Sequence, residues 1–349
     1  MSAKDSGSDG IALSEKRLLA YLRRITADPR LDYREQPRQI ALGTEARLLK
    51  FSLRAALPEF CRPLVLRLFL AEADPVQASI EHAAQNAVAE QGFPAPRVLA
   101  SSRDSSELGR PFLIMEHVEA RPTSLGRLVS PRLERRLERG RRMQTLARLH
   151  ELASQPLVDA FRLQGLSPER LAASARFDAA SAQIEVWGLD GFRPLMRWLE
   201  MNRPPRPGSS ICHGDPHPYN FIFARGRLAS VVDWGGVRLG HPEMDLGVLC
   251  GLIRCAGTHT MPGGGQRVID SHLALYRRHR PASQALVRYN EVEFLVSALV
   301  DIADREMRRA AGQTPPANAI LDDPMTLRRV TTWLEHFVGR EVWSSDVSR

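Results

Sequence analysis

Ser209-Ser210-Ile211-Cys212-His213-Gly214-Asp215-Pro216-His217-Pro218-Tyr219-Asn220-Phe221-Ile222-Phe223 opens the stretch that decides how this chain reads. Val231-Val232-Asp233-Trp234-Gly235-Gly236 and Gly240-His241-Pro242-Glu243-Met244-Asp245-Leu246 complete it. Ile211 and Cys212 form a short apolar lead-in, and His213 to Asn220 form a polar loop. Phe221 to Phe223 predict a strand, Ala224 to Arg227 with Gly226 a turn, and Leu228 to Val232 a second strand that ends on Asp233. Two strands joined by a tight turn predict a hairpin, whose open end brings the polar loop and Asp233 together.

The chemistry open to such a group is narrow. A carboxylate (Asp215), an amide oxygen (Asn220) and a second carboxylate (Asp233) are hard oxygen ligands that suit Mg²⁺. Phosphoryl transfer needs a metal clamp, a positioned acceptor hydroxyl and little covalent chemistry. In protein kinases the motif H-R-D-L-x-x-x-N is followed by D-F-G. Here His213-Gly214-Asp215 stands for the first triplet, Asn220 falls at the matching place, and Asp233-Trp234-Gly235 stands for the second. Two other readings use the same residues. His213, Asp215 and His217 form a His-x-Asp-x-His pattern of the kind that binds Zn²⁺ in hydrolases, which leaves Asn220, Asp233 and Asp245 unexplained. A plain surface turn rich in Asp, Pro and Asn is the other, and the flanking apolar strands argue against it.

The combination His213-Gly214-Asp215 to Asn220, then Asp233-Trp234, then Gly240-x-Pro242-x-x-Asp245-Leu246 resembles the aminoglycoside phosphotransferase family, kinase-like enzymes that phosphorylate small molecules. The resemblance implies Asp215 as catalytic base or hydroxyl orienter and Asn220 and Asp233 as Mg²⁺ ligands. It further implies that His213 and Asp245 support the loop. It covers roughly residues 35 to 250 and is specific from 209 to 246.

Composition is that of an ordinary globular protein. The 349 residues are 43% hydrophobic and 25% charged, enough for a large core that splits into two lobes. The longest apolar runs, Leu246 to Ile253 and Phe294 to Val300, are far too short to span a membrane. The polar, acid-containing N-terminus is not a signal peptide. Cys61, Cys212, Cys250 and Cys255 have no close pairing motif, so reduced thiols in a cytoplasm are expected. The net charge is +8 and the isoelectric point about 9.8, which raises the question of nucleic acid. The basic residues are scattered, however, and the densest run, Arg132 to Arg142, is broken by Glu134 and Glu138 as on a solvated helix face. Nucleic acid and membrane are therefore not the expected partners.

Upstream of the motif, residues 1 to 10 are expected to be disordered, and Leu18, Leu19, Leu22 and Ile25 keep helical spacing. Ile40 to Leu53 predict two strands with Gly43-Thr44-Glu45-Ala46 between them. In the kinase reading this is the loop over the nucleotide phosphates, here with one glycine; an ordinary hairpin turn is the alternative. Pro63 to Phe69 predict the next strand, where a lysine usually binds the α- and β-phosphates; Arg67 stands there instead, always charged and able to bind phosphate bidentately, with a merely exposed strand residue as the alternative. Glu81, on a helix from Val76 to Gln91, is its best partner, with an ordinary exposed helix residue as the alternative. Pro111 to Val118 predict a last strand leading out of the lobe. The resemblance makes Glu116 to Val118 a hinge whose backbone hydrogen-bonds the purine edge.

Downstream, Pro131 to Leu152 predict a long amphipathic helix ending in Leu146-Ala147-Arg148-Leu149-His150, with His150 as a packing residue. Residues 153 to 186 suggest a loop and short helices, Gly191 to Met201 a helix, and 204 to 208 a stop. After Asp245 the chain reads as helical. Leu246 to Arg254, Val268 to Arg280, Ser283 to Ala310 and Asp323 to Val338 are the expected helices. Thr258 to Gln266 is expected to be a glycine-rich loop. Glu291, Glu293, Asp301 and Asp304 on the third of these offer negative charge to a cationic acceptor, although the apolar residues between them fit an ordinary half-buried helix.

The expected architecture is an α+β, bilobal, protein-kinase-like fold. It has a tail and helix to residue 29, a small β-rich nucleotide-binding lobe from 30 to 117, and a larger, mostly helical lobe from 118 to 349. The last of these carries the catalytic stretch 211–246 and acceptor-binding helices beyond it. The expected reaction moves the γ-phosphate of ATP or GTP, with Mg²⁺, to a hydroxyl of a small-molecule acceptor. An aminoglycoside is one acceptor class; an amino alcohol, a sugar or a hydroxyacyl thioester are others. A nucleotide-binding pseudokinase is a further alternative.

Overall fold

The computed structural model describes residues 6–42, 46–54, 57–70, 74–119, 131–224, 226–256, 264–315, 318 and 321–339. The chain forms two compact units. One holds Met1–Ala120, Asp159–Leu166 and Ala229–Gly235, and the other holds the rest.

The first unit is built on an antiparallel sheet. Helix α1 (Ser6–Thr26) precedes strands β1 (Asp32–Leu42), β2 (Ala46–Arg54) and β3 (Leu64–Phe69). Helix α2 (Gln77–Glu90), β4 (Val98–Ser102), the short α3 (Ser105–Leu108) and β5 (Phe112–Glu116) come next. The strand order is β1-β2-β3-β5-β4, with every neighbouring pair antiparallel. Strand β3 is buried throughout, as a near-continuous apolar strand must be when both sheet faces are covered. Its alternation assigns the faces. Leu64, Leu66 and Leu68 join Leu18, Leu22, Phe51 and Ile114 in one cluster. Val65 and Phe69 join Ala78, Val98 and Leu113 in another. Arg67 shares parity with Val65 and Phe69, so it stands on the side occupied by α2.

The second unit is mostly helical. Helix α4 (Pro131–Leu149) leads to α5 (Gln155–Leu163), whose last residues count with the first unit, then to α6 (Ala175–Trp187) and α7 (Arg193–Met201). Strand β6 (Ser210–Cys212) carries the chain into the polar loop. Strands β7 (Phe221–Ala224) and β8 (Arg227–Val231), whose last three residues count with the first unit, form a two-stranded sheet, and β9 (Arg238–Gly240) returns antiparallel to β6. Helices α8 (Glu243–Ala256), α9 (Gly264–Tyr276), α10 (Gln284–Ala310) and α11 (Pro324–Val338) complete it. The core joins α6, α7, α10 and α11 through residues such as Ile184, Leu195, Leu295, Leu299 and Leu334. Ser283 caps α10 by accepting from the Leu286 N–H, and Asp323 caps α11 by accepting from the Met325 N–H; such caps satisfy donors that have no partner within the helix. No described helix is long and apolar enough to cross a membrane.

Two local expectations change. Helix α1 begins at Ser6, so residues 6 to 10 are helical rather than disordered; once a stripe such as Leu18 and Leu22 is buried, adding helical residues upstream costs little. The short helices expected over 153 to 186 are α5 and α6, and α6 runs one residue past that span to Trp187. Gly264 to Gln266 open α9 instead of belonging to a loop.

Helices α8 and α10 approach closely because two glycines face the contact. A Cβ on Gly247 would lie 2.5 Å from the Asn290 Cβ, and one on Gly251 would lie 2.3 Å from a Phe294 ring carbon. Gly140, inside α4, has nothing within 4 Å of a Cβ. Gly247→Ala is expected to destabilise the protein by about 1–3 kcal/mol through overpacking. Gly140→Ala should stabilise it by up to about 1 kcal/mol through helix propensity. Denaturant melts of the two variants check the contrast; equal effects would contradict it.

Candidate active site

In the first unit a charged group forms under the sheet. The Arg67 guanidinium lies 3.0 Å from the Glu81 carboxylate and 3.1 Å from that of Asp233. The Glu81 side chain is 1% exposed, that of Arg67 10% and that of Asp233 38%, so the charge opens outward only at Asp233. Asp233 adopts a left-handed backbone, φ 68°, a conformation that is costly for a non-glycine residue and that clusters at functional sites. Its surroundings hold it there. The Val231 N–H donates to the Pro94 carbonyl at 2.6 Å. The fully buried Trp234 donates to the Val231 carbonyl at 3.1 Å and packs edge-on against Phe93.

In the second unit the polar loop hangs on Asp245, which is fully buried. One carboxylate oxygen accepts from the Gly214 N–H at 2.8 Å. The other accepts from the His213 N–H at 2.8 Å and pairs with His150 Nε2 at 3.0 Å. His150 Nδ1 is in turn 2.7 Å from the Tyr276 hydroxyl. Burial acts to raise the Asp245 carboxyl; the His150 hydrogen bond, the His150 and His213 charges and the Gly214 N–H outweigh it and leave the group below its ordinary range. Gly214 has φ 81°, and a Cβ there would fall 1.8 Å from the Gly236 carbonyl oxygen, so only glycine fits. Arg176 of α6 donates to the Gly214 carbonyl at 3.2 Å.

Past this anchor the loop presents Asp215. Asn220 turns both amide hydrogens to it, one to the backbone oxygen at 2.9 Å and one to a carboxylate oxygen at 3.0 Å. The Asn220 amide oxygen therefore remains as an acceptor, the donor type a hard cation prefers. Asp215 and His217 line a cavity of about 350 Å³ together with Arg176, Phe294 and Asp301. The zinc reading fares poorly on hydrogen bonding. His213 Nδ1 accepts from the Asp215 N–H, and His217 Nδ1 accepts from the Tyr219 N–H. Among the described residues, His150, Cys212 and Asp245 lie close enough to share an ion. Their ligand atoms are engaged, however, and Cys212 donates its S–H to the His241 carbonyl at 3.3 Å. Burial pushes that thiol well up, away from the thiolate a metal needs.

The remaining predicted residues divide. Gly43 and Thr44 lie outside the described residues. The Glu116 N–H donates to the Arg97 carbonyl and the His117 N–H to that of Pro63. Those two N–H groups are therefore not available to a purine edge. On α10, Glu291 pairs with Arg254 and with Arg288, and Asp304 pairs with Arg308 at 2.7 Å. Glu293 and Asp301 each line a cavity instead. Sequence reasoning passed over Arg176, inside a segment with no motif, and Tyr276, whose link to Asp245 runs through His150.

Asp245→Ala leaves two buried N–H groups and His150 without their acceptor, a loss expected to cost roughly 3–5 kcal/mol. For pH the sign follows from a folded carboxyl held below its unfolded value. Its contribution is complete above the unfolded value of about 4 and is lost as pH falls through the lower, folded one. Acid-unfolding curves should therefore show a steeper loss below about pH 4 in the wild type than in Asp245→Asn; parallel curves would contradict this.

Comparison with known proteins places the chain. Residues 36–286 match the family described as "Phosphotransferase enzyme family". Among curated proteins, acyl-CoA dehydrogenase family member 11 of Gallus gallus is 30% identical over 171 residues, 48% of this chain and 22% of that protein. Family member 10 of Mus musculus is 28% identical over 47% of this chain and 16% of its own length. The chain thus spans about a fifth of the length of the curated relatives it matches. Among solved structures, a putative aminoglycoside phosphotransferase from Ralstonia eutropha aligns with a TM-score of 0.62 and 21% identity, over 90% of this chain and 94% of its own. A thermostable mutant of aminoglycoside phosphotransferase APH(4)-Ia, in ternary complex with ADP and hygromycin B, aligns with a TM-score of 0.54 and 15% identity, over 92% and 99%. These likenesses establish the kinase-like α+β fold, and with the match over most of its length the chain belongs to the phosphotransferase enzyme family.

Proposed function

We propose that this protein transfers the γ-phosphoryl group of ATP to a hydroxyl of a small molecule, with Asp215 as the base. The observation that carries the reading is the Asp215–Asn220 pair: the Asn220 amide donates to the Asp215 carboxylate and to its backbone carbonyl, and Asp215 lines a cavity sized for a small ligand. In the proposed step Asp215 accepts the acceptor's hydroxyl proton as its oxygen bonds to the γ-phosphorus; the bond from that phosphorus to the β–γ bridging oxygen breaks, and ADP leaves. ATP as the donor is supported by the nucleotide complexes of proteins with this fold.

Mg²⁺ is supported by the donor type of each residue taken by itself. The Asn220 amide oxygen is left as an acceptor, and the Asp233 carboxylate is partly exposed and held by Arg67. The chemistry Mg²⁺ would supply is neutralisation of charge developing on the phosphates. Arg67 binds the α- and β-phosphates in this reading, and Glu81 fixes its direction. GTP is the alternative donor.

For the acceptor, a hydroxyacyl thioester is a second reading beside the aminoglycosides. It is supported by the names of the curated relatives, which are acyl-CoA dehydrogenase family members. The cavity beside Asp215 combines Arg176, Asp301 and Phe294, a mixed lining that suits an acceptor with polar and apolar parts.

Asp215→Asn is expected to lower the transfer rate by about 10²–10⁴-fold while ATP binding survives; turnover like the wild type would remove Asp215 as the base. Asp233→Ala should weaken binding of Mg²⁺-ATP, read by calorimetry, and unchanged affinity would remove its metal role. Transfer from ATP and GTP across aminoglycosides, macrolides, amino alcohols, sugars and hydroxyacyl thioesters identifies the acceptor class. Nucleotide binding with no turnover on any of them would support the pseudokinase alternative.

A further inference from the structure

A second cavity, of about 550 Å³, lies in the helical unit, and Asp215 does not line it. Its apolar wall includes Leu171, Phe177 and Met244; its polar side includes Arg203, Tyr289 and Glu293. Glu293 is 4% exposed. Among the described residues no hydrogen bond or ion pair reaches its carboxylate, whereas Glu291 and Asp304 on the same helix are both paired with arginines. Burial pushes the Glu293 carboxyl up; Arg176 and Arg203 act against this by charge alone. Arg203 is engaged elsewhere, over the Phe177 ring at 4.8 Å and with the Tyr289 hydroxyl. A buried carboxylate without a partner is costly, so its place on a cavity wall points to a partner supplied from outside.

We propose that this cavity is a second small-molecule site and that it takes a primary amine with a compact apolar body, its ammonium group paired with Glu293. An ammonium offers three donors to a carboxylate that accepts no hydrogen bond among the described residues, and brings a positive charge into direct contact with it. The body would lie against Leu171, Phe177 and Met244, the usual division of labour in a ligand pocket. The cavity sits behind the catalytic loop. Gly208, on its wall, leads into β6 and so to His213; Leu239, also on its wall, pairs with Ile211 of β6. Helix α6 supplies Phe177 to the wall and Arg176 to the Gly214 carbonyl. An occupant would therefore touch the elements that carry the loop without meeting Asp215, which is the position of an effector and not of an acceptor. The proposal goes beyond the transfer reaction and does not depend on it.

The test is calorimetric titration of the full chain with hexylamine, cyclohexylamine, benzylamine and phenethylamine, and with hexan-1-ol and hexanoate as neutral and anionic controls. At least one amine should bind saturably and the controls should not. Glu293→Gln should weaken that binding about tenfold or more, the worth of a charge-assisted bond, while Asp301→Asn leaves it unchanged. Ser174→Phe, which fills the cavity from its rim and keeps Glu293, should also abolish it and serves if Glu293→Gln does not fold. Equal binding of hexan-1-ol, no saturable amine binding, or loss of binding in Asp301→Asn would each overturn the proposal.

Discussion

The helical unit depends on one buried carboxylate. Asp245 accepts from two consecutive backbone amides, His213 and Gly214, and from His150. A loop without regular structure has backbone donors that must find partners once water is excluded. Here a side chain at the start of α8 supplies them, so the loop's path is set by the helix that carries Asp245. Gly214 completes the constraint, because its left-handed backbone passes within contact distance of Gly236 and leaves no room for a side chain. Asp215 and Asn220, next along the chain, inherit a defined position from this anchor.

The sheet-based unit repeats the theme with opposite polarity. Arg67 stands on a strand buried along its whole length, and Glu81 is nearly inaccessible. A buried ion pair rarely adds stability over an apolar pair of similar size, because desolvating two charges offsets their attraction. The pair is better understood through what it leaves over: a guanidinium that also reaches Asp233. Sheet parity puts Arg67 on the α2 side, and the turn through Pro94 and Phe93 holds the Asp233-Trp234 segment there. The charge is thus fixed by packing within this unit.

Helix α10 shows how little an acidic residue's spacing says about its task. Glu291, Glu293, Asp301 and Asp304 look alike in the sequence. Two are consumed by arginines, from α8 and from α10 itself. The other two line separate cavities, Asp301 the one that Asp215 also lines and Glu293 one that Asp215 does not line. Residues distant in sequence made the difference: Arg254 reaches Glu291, while Arg203 turns to Phe177 and Tyr289 instead of Glu293.

Much of the fold was legible because the chain's local signals agree with its final structure. Ser283 and Asp323 announce helix starts with capping side chains. The apolar run around Arg67 announces a strand covered on both faces. The spacing from His213 to Asp245 announces a phosphotransferase family, because an oxygen-rich group at that spacing serves few chemistries. The sequence could not announce contacts made between segments far apart. His150 joins Asp245 across 95 residues and Tyr276 across 126. The Glu116 amide is lost to Arg97 through a strand neighbour. The two cavities exist only where helices and turns meet. By itself the sequence determined the chemical class of the loop and the elements that carry it, since both depend on residue type and short spacing. Which carboxylates are paired, which open onto a cavity and which amides remain was decided by tertiary structure, because hydrogen bonds and burial depend on distance in space.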